Sequence, residues 1–273
     1  MKKAHAIVIF SVFILLGIQG CANTGTVKRL TPSSEISGEK AVEDISRKTR
    51  FHTGKRLTYL IAWNNIPVGS IVTETGNIMK YKGRDVHVVT LVTESNKFLS
   101  KIYRVEDTYI SYVDTETISS RRYEANRREG NYRKHVIVEY DFNNLEATYT
   151  SLTDGSVKRC KIRKNVQDPL SAMCYFMTLP IKLDEKINIT VNLNEKNYEL
   201  FAMVEDIDMV TLRGLGAFPA FKIRPYAELR GARVKKGRAW MYFSADENRY
   251  PLRGVVRIPF GRVTATLRSV EEI

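Results

Sequence analysis

From Leu57 onward the chain alternates with a period of two: Leu57, Tyr59, Ile61 and Trp63 fall on one side of a run and Thr58, Leu60 and Ala62 on the other. That is the pattern of a half-buried strand. Similar runs follow at 68–75, 87–93, 99–105, 109–113, 121–129, 132–140, 146–151 and 157–163. After the midpoint come 186–191, 198–204, 218–223, 239–243, 252–258 and 263–267. Many short strands separated by turn residues predict an all-β, mainly antiparallel domain, a curved sheet or an open or closed β-barrel.

Two turns predict register. Gly130-Asn131 fits a two-residue hairpin with glycine first, and Asp154-Gly155 a hairpin whose central residues take positive φ. A tight first turn pairs Tyr123 with Val138, Ala125 with Val136, Arg127 with Lys134 and Arg128 with Arg133. A tight second turn pairs Cys160 with Tyr149. One segment changes period. Asp168-Pro169 offers an N-cap followed by proline at the first helical position. Leu170, Met173, Cys174 and Met177 then recur at helical spacing until Pro180. This short apolar helix is expected on or in the concave face of the sheet.

The beginning of the chain reads differently. Lys2 and Lys3 precede an apolar run over 6–16, and residues 17–21 read Gly-Ile-Gln-Gly-Cys. A short apolar stretch after positive charge, ending in a small residue, is a secretory signal and is too short to favour a membrane span. Residues 15–21 resemble the lipobox of bacterial lipoproteins, although Gln19 departs from the commonest small residue there. The resemblance implies cleavage before Cys21 and acylation of its thiol. Two or three acyl chains, at about 0.8 kcal/mol per buried methylene, anchor stably where one does not. Ala22, where an aspartate would retain the protein in the inner membrane, points by the same resemblance to the outer membrane, facing the periplasm. The predicted organisation is a signal peptide at 1–20, the lipidated cysteine and a flexible tether at 21–50, and one β-rich domain at 51–273.

The formal charge is +13, two of it in the leader. So basic a chain favours anionic partners: phospholipid headgroups, lipopolysaccharide phosphates or acidic glycans. Nucleic acid is the usual alternative for such a charge, but an exported lipoprotein rarely meets it, and no nucleic-acid partner is expected. Cys160 and Cys174 remain after lipidation and could close a disulfide in the oxidising periplasm; two free buried thiols are the alternative. His52, His87 and His135 are scattered without metal-ligand spacing, and neither a metal nor a cofactor is predicted.

Four stretches together resemble a bacterial periplasmic family catalogued as domain of unknown function 3108. They are GKRLTYLIAWNNIPVGSIVT (54–73), YRVEDTYISYVDTETISSRRYEANRREGNYRKHVIVEYD (103–141), DPLSAMCYFMTLPI (168–181) and AWMYFSADENRYPLRGVVRIPFGRVTATL (239–267). The resemblance implies a fold and no particular reaction. The last stretch is also similar to the closing strands of periplasmic lipoprotein carriers, with Trp240, Asp246, Pro251 and Gly261 in comparable places. A lipoprotein-carrier-like half-barrel over an apolar groove is therefore the expected architecture, without an implied function.

Chemistry is sparse. No glycine-rich phosphate loop, HExxH, CxxC or GxSxG occurs, and Asp206 and Asp208 are ordinary neighbours on a strand or loop. The expectation is therefore a non-enzyme. Tyr59, Trp63, Tyr103, Met173, Phe176, Met177, Trp240 and Phe260 are candidates to line an apolar groove, or simply to fill the core. Arg127, Arg128, Arg133 and Lys134 are candidates to bind phosphates at the hairpin tip, or to form a solvated edge. The leading expectation is a module binding an amphipathic or anionic envelope component. A scaffold for an envelope assembly, and a hydrolase or transferase with an unfamiliar site, are the alternatives.

Overall fold

The computed structural model describes residues 51–234 and 238–273. The signal peptide, Cys21 and the tether lie outside the described residues. Strands β1 (Lys55–Trp63), β2 (Ile66–Tyr81), β3 (Arg84–Ser95), β4 (Glu106–Asp114), β5 (Ser120–Glu129), β6 (Tyr132–Asp141), β7 (Glu146–Ser151) and β8 (Val157–Lys161) form a continuous meander. Helix α1 (Lys97–Ser100) lies between β3 and β4, and α2 (Pro169–Thr178) follows β8. A second meander contains β9 (Lys186–Leu193), β10 (Lys196–Leu212), β11 (Gly216–Leu229), the short β12 (Ala232–Arg233), β13 (Arg238–Ser244), β14 (Pro251–Ile258) and β15 (Gly261–Glu272).

β1 pairs with both β2 and β15, which fuses the two meanders into one sheet ordered β8 to β1, then β15, β14, β13, β11, β10, β9, with β12 beside β11. All ladders between these strands are antiparallel, and the sheet stays open between β8 and β9. The connector before α2 spans part of that gap. Gln167 donates its N–H to Thr190 O at 2.9 Å and accepts from Asn192 N at 2.8 Å. The Tyr149 hydroxyl donates to Asn192 Oδ1 at 2.6 Å. Side chains and a single bridge thus hold the two edges without a ladder.

The period-two reading holds in β1, where Leu57, Tyr59 and Ile61 are buried. It fails at 99–105, which is not a strand. Asn96 caps α1 by accepting from Leu99 N at 2.9 Å, and Ser100 N donates back to Asn96 O at 2.9 Å. Local capping beats a weak alternation interrupted by Ser100 and Lys101. The Gly130-Asn131 hairpin has the expected pairs, Tyr123 with Val138 through Arg128 with Arg133. The Asp154-Gly155 hairpin does not: Cys160 pairs with Ala147, and Tyr149 with Lys158. Asp154 accepts from Ser156 N at 3.0 Å, and Gly155 N donates to Ser151 O at 2.9 Å, so a longer loop forms. The register moves by two residues, which keeps each side chain on its expected face.

The core surrounds α2 in two clusters. Leu57, Tyr59, Ile61, Leu91, Tyr123 and Val138 belong to one, which α2 joins through Leu170. Ala172, Cys174, Phe176 and Met177 of α2 join Ile189, Val204, Phe221 and Phe243 in the other. Burying so many apolar side chains, each contributing roughly 1.5–3 kcal/mol, is the main force holding the helix to the sheet.

Candidate functional site

The helix is seated at both ends by buried polar groups. Asp168 at its N-cap accepts from Leu170 N at 2.7 Å and Ser171 N at 3.0 Å, and Ser171 Oγ accepts in return from Asp168 N at 2.9 Å. The Ser111 hydroxyl of β4 donates to the same carboxylate at 2.5 Å. Burial pushes the Asp168 carboxyl above the usual range, with these hydrogen bonds opposing it. At the other end, Arg249 Nη1 donates to Leu179 O, the favourable place for a cation at a helix C-terminus. Its Nε and Nη2 are buried without a protein hydrogen-bond partner, and desolvation pulls the guanidinium down to about 10.

Between helix and sheet lie two apolar cavities. The larger, about 110 Å3, is lined by Leu57, Tyr59, Ile71, Leu91, Leu170, Cys174 and Met177, among others. The smaller, about 70 Å3, is lined by Ala172, Phe176, Ile189, Leu200, Ala202 and Phe243, among others. Met173 and Met241 line both. Polar side chains are few: His52, Tyr59, Thr73 and Thr75 at the larger cavity and Tyr198 at the smaller. His52 Nε2 lies 2.5 Å from Asn248 O, and burial lowers its pKa, which keeps the imidazole neutral. Burial likewise holds the Tyr59 hydroxyl protonated. Arg253 pairs with Tyr242 and Thr266, on the face opposite Met241, Gly254 and Ala265, and its Nη2 donates to Thr211 O at 3.0 Å.

Of the residues singled out as groove candidates, Tyr59, Met173, Phe176 and Met177 line the cavities. Trp63, Tyr103, Trp240 and Phe260 do not. Trp63 ends β1 in solvent, its Nε1 donating to the backbone of the still more exposed Phe260 at 3.2 Å. Tyr103 packs under the β5–β6 hairpin, where a Cβ on Gly130 would come within 2.6 Å of its ring. Trp240 donates to Glu205 at 3.2 Å and lies under Arg257, while its neighbours Met241 and Phe243 take the inward positions. The alternation Ala239, Met241, Phe243 in the sequence was the signal for that inward face. Aromatic size drew attention to Trp240 instead.

The four basic residues of the hairpin fall on two faces. Directly opposite residues share a face, so Arg127 and Lys134 stand on one side and Arg128 and Arg133 on the other. Arg127 bonds Glu129 and lies 5.0 Å from the Tyr132 ring. Arg128 and Arg133 are exposed, and Arg133 Nη1 also donates to Gly130 O at 2.7 Å. Beneath the hairpin Asp107 is fully buried, accepting from Arg128 N at 2.8 Å and the Tyr109 hydroxyl at 3.1 Å. Desolvation, with Glu129 nearby, raises its pKa to about 6.

Cys160 and Cys174 are free thiols. Cys160 packs against the first core cluster, 3.7 Å from Asn192 Nδ2, whereas Cys174 is buried in the second. Of the two readings left open by the sequence, the described structure has the two free thiols and not the bridge.

Fold and interior together define a class: an open, barrel-like antiparallel sheet wrapped around a short helix, with apolar space between them. The chain belongs to the DUF3108 family, described as proteins of unknown function, whose model matches residues 58–268. A structure similar to it is a β-barrel-like protein of domain of unknown function DUF1849 from Brucella abortus, with a TM-score of 0.54 and 8% identity over 80% of this chain and 97% of that one. A candidate lipoprotein from Parabacteroides distasonis aligns at a TM-score of 0.35 and 8% identity over 82% and 97% of the two chains. The Brucella likeness is one of fold alone, and the second carries no argument. No curated protein matches the chain.

Proposed function

We propose that this is a non-enzymatic envelope lipoprotein, anchored through Cys21 to the outer membrane and facing the periplasm, that holds an anionic amphiphile between α2 and the sheet. The observation that carries the reading is the pair of apolar cavities separated by two methionines. A dry apolar cavity of about 150 Å3 admits a benzene-sized group. At about 110 and 70 Å3, each compartment here suits a ring or a short alkyl segment. Methionine has three rotatable bonds and repacks readily. Movement of Met173 and Met241 would join the compartments and accommodate a longer chain. The chain's formal charge of +13 favours an anionic headgroup on that amphiphile. The leader and the Gly-Cys junction at residue 21 support the anchored, exported setting.

Titration with a fluorescent polyene fatty acid tests the reading. Saturable binding is expected, with Ala202→Phe or Ala265→Phe blocking it. Absence of saturable binding to correctly folded protein would refute it.

A further inference from the structure

Five large apolar side chains stand in solvent at one end of the sheet, on three different connections. They are Trp63 (42% exposed) and Ile66 (58%) at the β1–β2 turn, Phe98 (64%) and Ile102 (76%) between β3 and β4, and Phe260 (69%) at the β14–β15 turn. The fold draws these connections together. Trp63 pairs across its turn with Ile66, and its Nε1 donates to Phe260 O at 3.2 Å. Asn64 Oδ1 accepts from Arg262 N at 2.8 Å. Asn96, which caps α1, donates its Nδ2 to Pro67 O at 2.7 Å and its backbone N–H to Val68 O at 2.8 Å. The result brings Phe260, Trp63, Ile66, Phe98 and Ile102 onto neighbouring connections at the same end of the sheet. Gly261 permits the closest of these approaches. It has φ +128°, and a Cβ there would come within 2.1 Å of the Asn64 side chain.

Charge around these tips is one-sided. Residues 63–68, 96–105 and 257–263 contain Lys97, Lys101, Arg104, Arg257 and Arg262 and not a single aspartate or glutamate. At the margin, Glu94 and Glu106 pair with each other across β3 and β4, Glu106 also bonds Arg104 at 2.5 Å, and the buried Glu129 bridges Val105. A monomer rarely exposes contiguous apolar surface without a partner. Aromatic and aliphatic tips surrounded by lysine and arginine match a membrane interface, where rings sit at headgroup level and cations meet lipid phosphates. The projecting side chains occupy corners of separate turns, a shape that fits between headgroups rather than against a flat protein face.

We infer that this end of the barrel docks onto an anionic lipid bilayer, with Trp63, Ile66, Phe98, Ile102 and Phe260 entering the interface and the flanking cations on the phosphates. β1 begins at the other end of the sheet, at Lys55, which pairs with Thr75. A chain of 30 residues, 21–50, reaches at most about 100 Å when extended. The nine residues of β1 span only about 30 Å, so an anchor at Cys21 does not keep the tips from the same bilayer. The inference is independent of what the cavities bind.

The sequence contains two tryptophans, Trp63 and Trp240. In the full chain carrying Trp240→Phe, the emission of Trp63 is followed on vesicles of phosphatidylethanolamine and phosphatidylglycerol, with and without bromine on the acyl chains. A blue shift and loss of roughly half the intensity to brominated lipid are expected for a ring at the interface. Both should be lost in Phe98→Asp/Ile102→Asp, and diminished by salt or in Lys97→Glu/Lys101→Glu/Arg262→Glu. If Trp240→Phe does not fold, Trp63→Phe in the otherwise intact chain reads the same contact, and quenching must then vanish. Emission from Trp63 that is neither shifted nor quenched would overturn the proposal. So would quenching that is indifferent to the aspartate substitutions. Tips that engage only a protein, with vesicles leaving Trp63 unquenched, would overturn it as well.

Discussion

Met173 on α2 and Met241 on β13 each border both apolar cavities, so two thioethers form the partition between them. Met173→Ala should merge the compartments and destabilise the domain by about 2–3 kcal/mol, the lower part of the range for truncating a buried side chain, because Met173 is only partly buried. Met241→Leu, which nearly conserves volume, should cost less than about 1.5 kcal/mol. Urea denaturation measures both. Longer fatty acids should gain affinity relative to shorter ones in Met173→Ala alone.

Asp168 couples the helix to β4 through Ser111. Asp168→Ala removes an N-cap worth about 1 kcal/mol and leaves buried donors on Ser111, Leu170 and Ser171 unpaired, for a loss of about 2–4 kcal/mol. Asp168→Asn keeps the acceptor and should lose markedly less. Equal losses in the two variants would mean that the cap contributes nothing.

Asp107 makes stability depend on pH. Its pKa in the folded protein, about 6, lies above the ordinary 3.8, so the folded state holds this proton more tightly than the unfolded chain. Its contribution is complete below about pH 4 and is lost as pH rises through 6. The groups facing it are Glu129, Arg127 and Tyr109, and the backbone N–H of Arg128 donates to it. Asp107→Asn should therefore stabilise the domain at pH 7 by about 1–3 kcal/mol and flatten the dependence between pH 4 and 7. Denaturation at four pH values across that window checks it; an unchanged slope would place the titration elsewhere.

Cys21→Ala should abolish incorporation of an alkyne-labelled palmitate and leave an uncleaved precursor. A variant that is still labelled and matured normally would count against Cys21 as the anchor.

The legible parts of the fold were those written in local patterns. The inward face of β1, the Tyr123–Val138 register and the helix after Asp168-Pro169 each follow from a few neighbouring residues. Residues 99–105 were misread as a strand because Asn96 caps a helical turn, Lys97–Ser100, that a weak alternation concealed. The Asp154 turn was misread because its side chain closes a longer loop than the dipeptide alone demands. The cavity was half visible: Met173, Phe176 and Met177 stood out, whereas Met241, Ala265 and His52 reach it through pairings far apart in sequence. The gathering of apolar tips was invisible for the same reason, since Trp63 and Phe260 lie 197 residues apart.

Native mass spectrometry of the full chain, extracted gently from the envelope, tests the central claim most directly. The account predicts a bound species of lipid mass in addition to the covalent anchor, retained in the unmodified protein and absent from Ala202→Phe/Ala265→Phe. Empty protein in both, or the same adduct in the cavity-filled variant, would contradict it.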